Sequence, residues 1–186
     1  AGIRPDKTPV ISFSIAEDEL SKLPTRDTEG QYSAWNYFQS IDRPENRKFV
    51  AAFQARYGSD RVTNDVISAS YNSVQFWAHA VAEAHTIDVK TVRDAIKRQS
   101  LNAPEGVISI DAQTNHTWRP VFIAKARNNG QFEIVWSSQK TIRPIPYPIT
   151  RTIEAWDGML DDLYKGWKNS WANPIDQTAM PTAHGG

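Results

Sequence analysis

The side chains able to do chemistry in this chain are four histidines, two acidic runs and the polar residues at two strand-to-helix junctions. The histidines are His79, His85, His116 and His184. No two of them stand at His-x-x-x-His or His-x-His spacing, so no metal site is spelled out. His79 lies inside an apolar helical stretch and reads as a core or edge histidine. His85 closes that helix, where a cation favours the dipole. His116 sits in the polar turn Asn115-His116-Thr117-Trp118, whose first three residues also form a glycosylation triplet. His184 belongs to the C-terminal tail. Cysteine is absent, which removes thiol nucleophiles, disulfides and Cys-ligated metal. There is no Gly-x-Ser-x-Gly elbow, no P-loop and no Gly-rich dinucleotide turn. An enzyme is therefore disfavoured, and no cofactor or metal is expected.

The acidic runs have structural explanations. Glu17-Asp18-Glu19 falls in the first turn of a helix, where negative charge is favoured, and Asp161-Asp162 reads as a solvated helix face. Glu17 keeps a possible ligand role because its helix start follows a strand. In open α/β sheets, ligands bind beyond the carboxyl ends of strands. That rule points to the junctions Ser14 to Glu17 and Phe38 to Asp42, and the loop Glu29 to Tyr32 joins them as a place to search. Ser14, Gln31, Tyr32 and Asn36 supply donors and acceptors without fixed charge. Such a set suits a small neutral polar ligand better than an ion.

The elements that must position these residues follow from the pattern. Val10 to Phe13 reads as a short buried-type strand, followed by a helix that Ser14 and Glu17 would cap as a box. Tyr32 to Phe38 is rich in aromatics, as strands are. It runs into a helix that Asp42 would cap, with Pro44 in the first turn and Glu45 three residues past the cap. That helix carries Phe49, Val50, Phe53 and Tyr57 on a stripe and stops at Gly58. Thr63 or Asn64 caps the next helix, which is apolar over much of its circumference (Val66, Ile67, Tyr71, Val74, Trp77, Val81) and is expected to be well buried. Asp88 caps another, with Val89, Val92, Ala95 and Ile96 inward. Val107 to Ile110 alternates as a strand, and Asn128-Asn129-Gly130 joins two further strands as a hairpin. Arg143 to Pro148 must be an extended linker. The last helix, about Thr152 to Trp167, sets Ile153, Trp156, Leu160, Leu163 and Trp167 on one side.

Lys+Arg and Asp+Glu both number 21 over 186 residues, so no field for nucleic acid or anionic lipid is implied. No apolar run is long enough to span a membrane. The class is α/β. Two parallel-type strands are too few for a sheet covered by helices on both faces, so the chain reads as part of a larger α/β protein with further strands on its N-terminal side.

One block is more particular than any propensity: Trp35-Asn36-Tyr37-Phe38-Gln39-Ser40-Ile41-Asp42-Arg43-Pro44-Glu45-Asn46-Arg47, continued by Phe49 to Phe53. It resembles the C-terminal half of the type I periplasmic binding proteins, in the branch for urea and short-chain amides. Val10 to Leu20 is similar to the strand and helix start that precede the block in those proteins. Asn102 to Gly106, Asp111 and Asn115 to Trp118 resemble their cross-over hairpin. Ile142 to Pro148 resembles the linker before their final helix. The matches run in order from about residue 8 to 170.

The resemblance implies two Rossmann-like lobes joined by three crossing segments, with only the C-terminal half in this chain. Residues 1–62 would be part of the C-terminal lobe, and 63–105 would supply helices to the N-terminal lobe. Residues 106–171 would form the cross-over hairpin, linker and final helix, and 172–186 a flexible tail. It further implies the receptor of an ABC importer, periplasmic and either exported or lipid-anchored, that closes by hinge bending on its solute. Its partners would be the solute, an N-terminal half and an ABC permease, with no nucleic acid. Loops matching Ser14–Glu17 and Glu29–Tyr32 reach the ligand in related receptors, so Ser14, Ile15, Glu17, Gln31 and Tyr32 are the expected binding residues. A cytoplasmic amide-sensing regulator on the same fold is the alternative, distinguished by the lack of an export signal. A branched-chain amino acid receptor stands behind it.

Overall fold

Short apolar segments broken by Ser, Gly and Pro give this chain small sheets and leave its long helices to define its size. A computed structural model describes residues 5–172, and the chain divides after Pro144 into two units. The first unit begins with β1 (Ile11–Ser12), the one-turn helices α1 (Glu17–Leu20) and α2 (Thr25–Thr28), and β2 (Tyr32–Trp35). Three helices follow: α3 (Pro44–Tyr57), α4 (Asp65–Ala84) and α5 (Val89–Ile96). Then come β3 (Ser100–Ala103), β4 (Gly106–Ile110), β5 (Thr117–Trp118), β6 (Phe122–Ala126) and β7 (Phe132–Ser137).

One sheet has the order β1-β2-β6-β7. β1 and β2 run parallel, with Ile11 opposite Tyr32, as the two βα units require. β6 returns antiparallel against β2, and the expected hairpin to β7 turns at Gly130 with φ 75. A second sheet, β3-β4-β5, is antiparallel throughout. Its first strand was not anticipated, because Ser100–Ala103 alternates weakly and is specified by pairing with β4 across the Pro104-Glu105 turn.

Each sheet has its own core. Leu20, Tyr37, Phe38, Ile41, Phe49, Ala124 and Phe132 pack on the first sheet. Phe76, Leu101, Ala103 and Ile108 lie between α4 and the second, and Ala80, Val92 and Ala95 join α4 to α5. The aromatic run expected to be strand as far as Phe38 leaves the sheet after Trp35. Asn36 turns there, its amide donating to the Pro120 carbonyl at 2.7 Å. Tyr37 and Phe38 then enter the core from a loop, both fully buried.

Several local expectations are corrected. α3 begins with Arg43 at the cap position and Pro44 next, and Asp42 instead pairs with Arg47. α1 begins at Ala16: Glu19 accepts from the Ala16 N–H at 2.9 Å, so the box of Ser14 and Glu17 does not form. Asn64, rather than Thr63, caps α4 and accepts from the Ile67 N–H, and Asp88 caps α5 as expected. α4 is not buried all round. Its covered face is Asp65, Ser68, Asn72, Phe76 and Ala80, while Val66, Tyr71, Val74 and Trp77 are exposed. It packs on β3 and α5 from one side, and of that apolar stripe Tyr71 stacks on Phe49 with ring centres 4.8 Å apart. Val89 is exposed as well. β1 is an edge strand, so Val10, Ile11 and Phe13 are exposed rather than buried.

The second unit carries α6 (Ile153–Gly166), capped by Thr152, which accepts from the Ala155 N–H at 3.2 Å. Trp156 donates to the Pro148 carbonyl at 2.8 Å and lies under the Arg151 guanidinium. No residue of α6 is buried. The tail expected at 172–186 lies outside the described residues from 173 onward, as does His184.

Candidate functional site

The loop leaving the carboxyl end of β1 is shaped by a hydroxyl. Ser12 Oγ accepts from the backbone N–H groups of Ser14 at 3.1 Å and Ile15 at 3.0 Å, folding residues 12–15 into a tight turn. Trp35 Nε1 donates to the Ile15 carbonyl at 2.9 Å, tying this turn to the end of β2. Ser14 is left exposed.

Glu17 follows and is fully buried. One carboxyl oxygen accepts from the Gln39 N–H at 2.6 Å, and Oε2 has no partner. Burial pushes its carboxyl up to about 8, only partly offset by the Gln39 N–H, so at neutral pH the group is an uncharged acid. Gln39 continues the chain of bonds. Its side-chain oxygen accepts from Thr63 N at 2.7 Å, and Thr63 Oγ1 lies 2.7 Å from the Tyr37 hydroxyl. Tyr37 donates to Asn46 Oδ1 at 2.8 Å, and the Asn46 amide donates back to the Gln39 and Ile41 carbonyls. Asp18 accepts from the Asn64 amide at 2.7 Å. The turn after β1 is thereby wired through buried polar groups to residues 63–64, where the chain passes from the first core to the second.

The return crossing is fixed by Arg119. Its guanidinium lies 2.7 Å from Glu105 and 3.0 Å from Asp65. Arg119 Nε donates to Glu105 Oε1 at 2.9 Å and Nη1 to Asp65 Oδ2 at 3.4 Å. Glu105 has no exposed side-chain surface and also accepts from Ser68 at 3.1 Å and Asn72 at 2.9 Å. Burial raises the Asp65 carboxyl despite the neighbouring guanidinium. Arg119 also forms a backbone bridge with Ile142. Two stretches that pass between the cores, 63–65 and 119–120, thus meet the end of β2 at Asn36, with the segment at Ile142 alongside.

Gln31 and Tyr32 lie at the amino end of β2, opposite the end where Ser14 and Glu17 sit. The Gln31 side-chain oxygen is occupied by the Val10 N–H at 2.9 Å. Ile15, Gln31 and Tyr32 share a mostly apolar cavity of 180 Å³ with Leu20, Leu23 and Phe132. The structure therefore gathers three of the five expected residues around one cavity, while Ser14 faces solvent above β1 and Glu17 is inside. Sequence reasoning missed Gln39, Thr63, Asp65, Glu105 and Arg119. Their partners lie 14 to 54 residues away, and the only local sign was a glutamate in a Pro-Glu-Gly turn. Among the described residues no grouping of three or more His, Cys, Asp or Glu could hold a metal ion. No described helix is long and apolar enough to cross a membrane.

Residues 1–152 match a family model described as periplasmic binding protein domain. The chain is 38% identical over 124 residues to a Geobacillus stearothermophilus protein named limonene hydroxylase, covering 67% of this chain and 22% of that protein. Solved structures share the fold at lower identity. An amino acid ABC transporter substrate-binding protein from Pseudomonas fluorescens Pf-5 has a TM-score of 0.64 at 21% identity, covering 76% of this chain and 38% of that one. A solute-binding protein of an ABC transporter from Rhodopseudomonas palustris BisB5, in complex with 3,4-dihydroxybenzoic acid, has a TM-score of 0.65 at 20% identity, with 73% and 38% covered. A leucine-, isoleucine-, valine-, threonine- and alanine-binding protein from Brucella ovis, in a closed conformation, gives 0.63 at 15%, with 75% and 39% covered. The chain thus spans less than two fifths of each of these structures and about a fifth of the curated relative.

Proposed function

The chain belongs to the periplasmic binding protein domain family, with the type I fold of ABC-transporter substrate-binding proteins, and from that premise we propose that it forms part of an importer's receptor for a small neutral polar solute, urea or a short-chain amide. The solute meets the turn Ser14–Glu17 beyond β1, and Gln31 and Tyr32 shape the cavity beneath it. Capture takes place in the periplasm, by a receptor that is exported or lipid-anchored, and the loaded receptor delivers to an ABC permease.

The observation that carries this reading is the charge state around the turn. Glu17 is held neutral by burial, and Asp18 and Asp65 are the nearest charges. The one guanidinium close by, Arg119, is already engaged by two carboxylates. The amines nearby bear on Asp18 (Lys22) and on the Tyr32 ring (Lys125, 6.0 Å from its centre), while the turn itself presents Asp18 and acceptors that suit an N–H-rich neutral solute. Without a Coulomb handle, affinity comes from satisfying each N–H and C=O in a cleft closed to water. Closure by hinge bending completes those bonds, and the solute shifts the open–closed balance by its preference for the closed form.

A second reading is favoured by the neighbours named above, which are described with amino acids and a hydroxylated benzoic acid. It requires a cation turned toward the solute, from Lys22 or Lys125 beside the site or from outside the described residues. Melting of the complete receptor with urea, acetamide, branched amino acids and benzoate separates the two. Stabilisation by urea or acetamide alone is expected, and stabilisation only by a carboxylate-bearing solute would refute the amide reading and leave the fold untouched.

A further inference from the structure

The two cores of the first unit are also joined at a distance from the segments that connect them. Arg43 and Glu45, at the amino end of α3, belong to the body built on the first sheet. Asn102 belongs to β3, in the body built on α4 and the second sheet. Arg43 Nη2 donates to Asn102 Oδ1 at 2.7 Å, the Asn102 amide donates to Glu45 Oε1 at 2.9 Å, and Arg43 and Glu45 pair at 3.2 Å. The three side chains close a ring across the gap. Beside it lies a cleft of 680 Å³, walled on one side by Ile41, Arg43, Phe122 and Ser137 and on the other by Gly106 and Val107.

The position of this ring relative to the pivot gives it a direction. β1 and β6 flank β2 on opposite edges. The turn Ser14–Glu17 extends from β1, and the cleft opens at the ends of β6 and β7. Between them, at the end of β2, stands the node of Asn36, Asp65 and Arg119. A rotation about that node that closes the front, at Ser14–Glu17, must widen the rear, where Arg43 reaches Asn102. The ring is also imperfect: Arg43 Nε is shielded from water without a partner, so it holds the rear shut only weakly.

We propose that the Arg43–Glu45–Asn102 ring is a rear latch that opposes front closure and so sets solute affinity from a site the solute never touches. The proposal rests on the reading of this family member as a hinge-closing receptor, though not on which solute it takes. Breaking the latch removes a contact made only while the front is open, so it raises the fraction already competent to close and tightens binding.

These 186 residues hold no cysteine, and in a complete receptor with any cysteine elsewhere replaced by serine, spin labels are placed at Lys48→Cys on α3 and Val107→Cys on β4. Without any solute, Asn102→Ala is expected to shift the inter-label distances to longer values. Titration with urea and acetamide should then show about two- to fivefold tighter binding of whichever binds, the effect of losing the exposed hydrogen bonds Asn102 makes across the gap. Arg43→Gln, which breaks the ring from the other body, should reproduce both changes, as mere loosening of β3 would not. Superimposable distance distributions, or weaker binding in both variants, would overturn the latch. Failure of both urea and acetamide to bind overturns the solute class alone, because the label distances still decide the latch.

Discussion

Replacing Glu17 by Gln tests the buried acid at the centre of the candidate site. Gln keeps an oxygen to accept from the Gln39 N–H and has the shape of the protonated acid, but it cannot ionise. In the folded protein the Glu17 carboxyl is raised from 4.5 to about 8 by burial, so the folded state holds its proton where the unfolded state has released it. The sign follows from linkage. Stability is undiminished below about pH 4.5, falls as pH rises through the window from 4.5 to about 8, and is fully reduced above it. At 1.36 kcal/mol per unit the loss reaches about 3 kcal/mol at pH 7, which for a domain of this size corresponds to roughly 6–12 °C in melting temperature. Melting curves of the parent and Glu17→Gln receptors, collected from pH 4.5 to 8.5, should coincide at the acid end and diverge as pH rises, with the variant higher. Parallel curves across the window would refute the buried neutral acid. So would a variant uniformly less stable, since that would mean the carboxylate is ionised and held by partners.

The other predictions concern the Arg119 cluster, the hairpin and the edge strand. Arg119→Met should destabilise by about 3–5 kcal/mol, because it leaves Asp65 and Glu105 buried without their cation; guanidinium denaturation checks this, and Arg119→Lys should lose less. Gly130→Ala should cost about 1 kcal/mol from its positive φ alone, since an added Cβ meets nothing closer than 3.9 Å; a melting temperature unchanged within error would show that the turn can relax. Gln31→Ala should weaken the hold on the edge strand by about 1 kcal/mol, read as faster amide exchange at Val10.

What the sequence disclosed was local. The Asn128-Asn129-Gly130 hairpin, the Asn64 and Asp88 caps and the parallel pairing of β1 with β2 each depend on a few adjacent residues, and all are present. The starts of α1 and α3 were misplaced because Ser14 and Asp42 compete for other partners: the Ser14 N–H goes to Ser12, and Asp42 goes to Arg47. The one-sided burial of α4 was hidden because its covered face includes Asp65, Ser68 and Asn72, polar residues made tolerable there by Arg119 and Glu105. A hydrophobic count assigns those polar residues to solvent and Val66, Val74 and Trp77 to the core, whereas the polar three are covered and the apolar three exposed. In the candidate site, Ser14 and Glu17 came from the strand-end rule, and both follow the carboxyl end of β1, the strand parallel to β2. The wiring from Glu17 through Gln39 to Thr63 joins residues from three segments, and no periodicity encodes it.

The first sheet ends on β1, a strand with one row of backbone N–H and C=O groups unpaired and with Val10, Ile11 and Phe13 facing out. Such an edge is a template for another strand, blunted here by its two-residue length and by the Gln31 side chain on the Val10 N–H but by no charge or proline within Ile11–Ser12. Handled by itself at high concentration, the 186-residue chain will therefore tend to add copies edge to edge. These residues add to the exposed apolar side chains of α4, and a lysine at Ile11 would serve as a gatekeeper against edge-to-edge pairing.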